Sequence, residues 1–149
     1  MGMSSIVARP LGMFGVLRAV SSMEDFIESR LAAVGLSIPR LAALQRLADA
    51  GDALPLGQLA ERLACVRSNV TQLIDRLEAD GFVKRAADPN DKRSRLAVIT
   101  DAGRRAWQEG VRVQNEVEAH LFSDLSGEDA VRLARILETL RRASSRPVC

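Results

Sequence analysis

Tyrosine is absent from this 149-residue chain, and histidine and tryptophan occur once each, as His120 and Trp107. No Ser/His/Asp set surrounds that histidine, no glycine-rich phosphate loop is present, and no group of residues has metal-ligand spacing. An enzyme is therefore not expected, and neither a metal nor a cofactor is implied. His120 reads as a surface or interface histidine, and Trp107 as interface packing rather than a ligand sensor. Two cysteines, Cys65 and Cys149, are too few for a disulfide framework and suit a reducing compartment. Lysine stands only at positions 84 and 92; the other 19 basic residues are arginines. No run approaches the ~18 apolar residues that span a bilayer. Arg9, Pro10 and Arg18 interrupt the first twenty residues, so a signal peptide is not expected and a cytoplasmic location is.

What is present is ordinary in amount and uneven in placement. Apolar residues make up 47% and charged residues 27%, which excludes wholesale disorder and predicts one domain over 1–149. A chain of this length buries roughly two-thirds of its unfolded surface without a metal or disulfide. The net charge is only +2. Arginine's planar fork suits phosphates, carboxylates and base edges. The same Ala- and Arg-rich composition also follows from a GC-rich genome, so composition alone selects no function.

The pattern along the chain is more specific. Met13, Val16, Val20, Met23, Ile27, Leu31 and Val34 recur at steps of three and four, predicting a helix over residues 11–34. Phe14, Leu17 and Phe26 widen this stripe beyond what one neighbouring element covers. Ser37 caps a second helix with Leu41, Leu44 and Leu47 on its core face, ended by Gly51. Two short helices follow over 56–63 and 67–80, the latter closed at Asp80-Gly81. The period then changes: residues 82–85 and 96–99 read as strands, with a polar, turn-rich loop over 86–95 between them. Thr100 caps a long helix to about Leu125. Ser126 with Asp129 opens a last one carrying Val131, Ala134, Leu137 and Leu140, and residues 144–149 read as a frayed tail.

Residues 56–74 have the form of a helix-turn-helix. With Val70 pointing inward at 100° per residue, Ser68, Gln72 and Asp75 point outward, Asn69 and Arg76 lie on one flank and Thr71 on the other. Short hydroxyls and amides at the N-terminal end of such a helix suit base edges, and its amides suit phosphate. Asp75 on this face requires Arg76 or a cytosine amine as partner. Between Lys84 and Arg105 stand seven basic residues against three acids, a local +4 beside the outward helix. Lys92, Arg93 and Arg95 occupy the projecting loop, where a guanidinium enters a narrow minor groove. Asp91 is placed to hold that loop or its arginine. The alternative, a solvated helix face in an ordinary bundle, does not account for the basic loop. A winged helix that had lost DNA binding would carry an acidic or apolar wing.

At these residues the chain resembles the MarR (multiple antibiotic resistance regulator) transcription factors. Asp91-Lys92-Arg93, Leu96, Ile99-Thr100 and Gly103 match that family's wing signature. Asp88-Pro89, Val70-Thr71, Asp75-Arg76-Leu77-Glu78 and Asp80-Gly81-Phe82-Val83 fit the same pattern. The resemblance runs over residues 11–142. It implies a mainly α fold with a small β-wing: a winged helix-turn-helix DNA-binding region over 37–99 and a helical dimerisation region over 11–36 and 100–143. It further implies a homodimeric regulator, most often a repressor, binding a palindromic operator in double-stranded DNA through Arg67, Ser68, Asn69, Thr71, Gln72, Arg76, Lys92, Arg93 and Arg95. A small aromatic or carboxylate effector is implied as well, bound near Phe14, Arg18, Ser37, Arg40 and Leu44. Arg18 or Arg40 then pairs with a ligand carboxylate, or else with a protein acid.

Three positions depart from the family pattern. Ala64 stands where glycine is usual. Val66 stands where a capping Ser or Thr is usual, leaving Ser68 or the DNA to satisfy the first amides of the recognition helix. Cys65 stands at a normally buried Leu or Val and reads as a small hydrophobe. The alternative is a thiol-responsive regulator of the same fold using Cys65, since a helix N-terminus lowers a thiol's pKa. The absence of tyrosine, and of any cysteine before Cys65, speaks against the family's peroxide-sensing branch.

Overall fold

The computed structural model describes residues 12–65 and 67–144. Leu11, Val66 and residues 145–149, on which the first helix's start, the missing cap and the tail were placed, lie outside them.

The described residues form six helices and one small sheet in the order α1 (Met13–Ala32), α2 (Ile38–Asp49), β1 (Ala53–Pro55), α3 (Leu56–Leu63), α4 (Arg67–Ala79), β2 (Val83–Asp88), β3 (Asp91–Ile99), α5 (Asp101–Leu121) and α6 (Gly127–Ser144). The caps fall where the side-chain chemistry puts them. Ser37 accepts from the Arg40 N–H at 3.4 Å and Thr100 accepts from the Gly103 N–H at 3.0 Å. Ser126 accepts from the Asp129 N–H at 3.1 Å and donates its hydroxyl to the Asp129 carboxylate at 2.8 Å. Gly81, at φ +75°, turns the chain from α4 into β2, a left-handed conformation that costs an L-residue.

The sheet is antiparallel in the order β1-β3-β2. It corrects two expectations. The polar segment 86–95 is mostly strand: pairing continues through Ala87↔Arg95 to Asp88↔Asp91, leaving Pro89 and Asn90 as the turn. A third strand, β1, pairs Ala53 with Val98 and Pro55 with Leu96, tying the start of α3 to the wing.

One core joins the helices to the sheet. Leu31 of α1, Leu41, Leu44 and Leu47 of α2, Leu59 of α3, Ile74 and Leu77 of α4, Val83 and Ile99 of the sheet, and Val113 and Val117 of α5 are all buried. The long α5 reaches it by close approach, since a Cβ on Gly110 would stand 2.6 Å from Leu41 Cδ1. Trp107 is half-buried against this core, donating its indole N–H to Gln45 Oε1 at 2.9 Å. The outer parts of the helical stripes remain uncovered. Phe14 is 76% exposed and Val131 59% exposed, and no residue of α6 is buried.

Candidate nucleic-acid interface

The turn between α3 and α4 is set by Ala64, which adopts the left-handed conformation at φ 52°, ψ 38°. α4 then leans on the core through Val70, Ile74 and Leu77, at spacings of four and three. That orientation exposes the opposite face: Arg67, Ser68, Asn69, Thr71, Gln72, Asp75 and Arg76 are all exposed. The Thr71 hydroxyl donates back to the Arg67 carbonyl oxygen at 3.0 Å, so it meets an incoming ligand as an acceptor.

The wing stands beside this face. Lys92, Arg93 and Arg95 are exposed on β3. The Arg93 N–H donates to Asp91 Oδ1 at 2.9 Å and the Asn90 N–H to Asp88 Oδ1 at 2.9 Å. Asp91 thus fixes the wing backbone and leaves the Arg93 guanidinium outside that bond. Between wing and helices opens a cleft of about 570 Å³, lined by Gly57, Gln58, Arg67, Thr71, Arg93 and Arg95 among others. A Cβ on Gly57 would lie 3.1 Å from Arg67 Nη2, so glycine makes room for that guanidinium against α3. Three arginines thereby converge from two elements on one cleft, a charge arrangement suited to a phosphodiester backbone.

Asp75 has a partner that the sequence reading did not name. Arg85, on β2, reaches Asp75 Oδ1 at 2.5 Å through Nη2 and pairs with the Glu78 carboxylate through Nη1. Its backbone N–H donates to Glu78 Oε1 at 3.2 Å. Burial draws this guanidinium's pKa down, but hydrogen bonds to Asp75 and then Glu78 outweigh it and leave the pKa raised. The signal was present, a basic residue just past the Asp80-Gly81 turn, but only the sheet register shows which way it points.

The residues assigned to an effector are dispersed. Phe14 and Arg18 are exposed on α1, Ser37 caps α2 and Leu44 is fully buried. Arg40 is engaged within the protein: it pairs with Asp80, donates to the Gly35 carbonyl oxygen at 2.8 Å and lies over the Phe82 ring. Burial first, then the charge of Arg76, lowers its pKa. None of the five lines either cleft flanking α1 and α5. Cys65 is half-buried and packs against the core, and its sulfur lies 3.4 Å from the Leu63 carbonyl oxygen. Cys149 lies outside the described residues. His120 stacks on Phe26 with ring centroids 5.4 Å apart. Among the described residues no group of His, Cys, Asp or Glu is placed to hold a metal, and no helix is long and apolar enough to cross a membrane.

A helix-turn-helix followed by a basic antiparallel wing defines a winged helix-turn-helix DNA-binding protein. The MarR family model matches residues 36–94. The transcriptional activatory protein BadR of Rhodopseudomonas palustris is 34% identical over 119 residues, 74% of this chain and 67% of that protein. Among solved structures, the organohalide-sensing regulator RdhR-CbdbA1625 bound to 2,4-dichlorophenol superposes with a TM-score of 0.80 at 20% identity, covering 96% of this chain and 88% of that one. A mutant MarR from E. coli complexed with operator DNA superposes at 0.76 with 19% identity, covering 84% and 89%. This chain belongs to the MarR family: it is a DNA-binding transcriptional regulator and not an enzyme.

Proposed function

We propose that the chain works as a homodimer on a palindromic operator, with α4 in the major groove and the β2–β3 wing on the adjoining minor groove. The observation carrying this reading is the cleft where Arg67 of α4 faces Arg93 and Arg95 of the wing, so that one phosphate strand meets both elements. Asn69 and Gln72 project their amides beyond it toward base edges, where a bidentate amide pairs with adenine. Ser68, Thr71, Arg76 and Lys92 complete the contact. The uncovered apolar faces of α1 and α6 supply the dimer contact. Selecting genomic fragments bound by the protein, then footprinting them, tests this: a protected inverted repeat supports it, and protection of a single half-site contradicts it.

The protein further acts as a cytoplasmic, ligand-responsive repressor that leaves its operator when a small aromatic or carboxylate effector binds. The cleft of about 330 Å³ between α1, α2 and α5, walled by Ile27, Leu31, Ile38 and Leu41 with Gln45 and Arg46 at its polar side, has the size and mixed lining of a small-molecule site. The dichlorophenol-bound relative supports an aromatic effector, whereas BadR, an activatory protein, makes the regulatory sign a matter for a reporter assay. A thiol-responsive mode through Cys65 is the second reading, favoured by the place of its half-buried sulfur at the α3–α4 turn. Operator affinity that changes with reductant alone selects it.

A further inference from the structure

Asp75 and Glu78 are the two acidic residues of α4. Both side chains are substantially exposed, at 59% and 40%, on a helix whose neighbours face outward. Duplex DNA presents one negative charge per ~1.7 Å of its axis, so carboxylates on a groove-facing helix are repelled unless compensated. Arg85 is the less exposed partner of each pair, at 25%, and both its terminal nitrogens are engaged. It bridges carboxylates three residues apart, which lie on one face of the helix. Its backbone N–H on Glu78 further ties β2 to α4.

We infer that Arg85 is a positioning residue for DNA binding: it turns Asp75 and Glu78 toward the wing and masks their charge, keeping α4's acids from opposing the phosphates. This rests on α4 being the recognition helix. Exposed ion pairs of this kind contribute little to stability, so the effect is electrostatic and appears in binding. It is also screened by salt. A backbone distortion is not.

The test is operator and random-duplex binding by the full-length protein at several salt concentrations. Arg85→Ala is expected to weaken binding about tenfold at low salt, with the deficit shrinking as salt rises. Adding Asp75→Asn and Glu78→Gln to Arg85→Ala is expected to restore wild-type affinity, while thermal melting stays near wild type throughout. A deficit that is constant with salt, or one that the carboxamides do not repair, overturns the inference. If Asn69→Ala and Gln72→Ala weaken operator binding while Arg85→Ala does not, the inference fails and the α4 reading stands. If neither amide substitution matters, the α4 reading itself falls and this inference with it.

Discussion

Gly103, in the first turn of α5, lies so close to Phe82 that a Cβ there would stand 1.9 Å from the Phe82 carbonyl oxygen. The neighbouring Thr100 clamps the same turn: its N–H donates to that oxygen at 3.0 Å and its hydroxyl donates to the Gly81 carbonyl oxygen at 2.6 Å. The wing's end is thereby fastened to the end of α4. In an open helix, Gly→Ala stabilises by roughly 0.5–1 kcal/mol. Here the obstruction is backbone and cannot swing aside. Gly103→Ala is expected to destabilise by about 2 kcal/mol or more, lowering the melting midpoint by roughly 4 °C or more. Calorimetry checks the sign.

The reverse holds at Ala64. Its left-handed conformation costs an L-residue roughly 1–2 kcal/mol, part of which glycine returns as unfolded-state entropy. Ala64→Gly is expected to stabilise by about 0.5–1 kcal/mol in denaturant titrations. A loss of stability would show that the methyl group packs usefully.

These two positions illustrate what the sequence made legible. Ala64 as a departure from glycine and Gly103 as part of the wing signature were both readable, and α3 and α4 end within a residue of their expected bounds. Local signals of cap, period and turn residue are strong there. The wing's extent was not readable, because ladder pairing such as Asp88↔Asp91 is a cross-strand property and an exposed polar strand has little hydrophobic alternation. For the same reason β1, three residues long, passed unnoticed. The Arg85–Asp75 pair spans ten residues across a turn and depends on sheet register. In α1 the period identified the apolar stripe but not what covers it: within the chain only Leu31 of that helix is fully buried.

The uncovered faces set the next expectation. Leu137 of α6 is 48% exposed within the chain. Sedimentation should give about twice the chain mass of 16.2 kDa. Leu137→Glu should shift the protein toward monomer and weaken operator binding in proportion. A wild-type monomer at micromolar concentration removes the two-fold operator model.

Effector binding should be visible through the single tryptophan. Gln45 both accepts the Trp107 indole N–H and lines the α1–α2–α5 cleft. Benzoate and 2,4-dichlorophenol serve as carboxylate and phenol probes. At least one should perturb Trp107 fluorescence saturably and release operator DNA over the same concentration range. Filling the cleft with Ala42→Phe should abolish both responses, and release that persists in this variant places the effector elsewhere.

The central claim, that the wing holds phosphate while α4 reads bases, is tested most directly by the salt dependence of two single variants on operator and scrambled duplexes. Arg93→Ala should weaken binding to both DNAs alike and lower the salt slope by about one unit. Gln72→Ala should cost about 1–3 kcal/mol on the operator and far less on scrambled DNA, with the slope unchanged. If Arg93→Ala alters neither affinity nor slope, or if Gln72→Ala weakens both duplexes equally, the division of labour between wing and helix is contradicted.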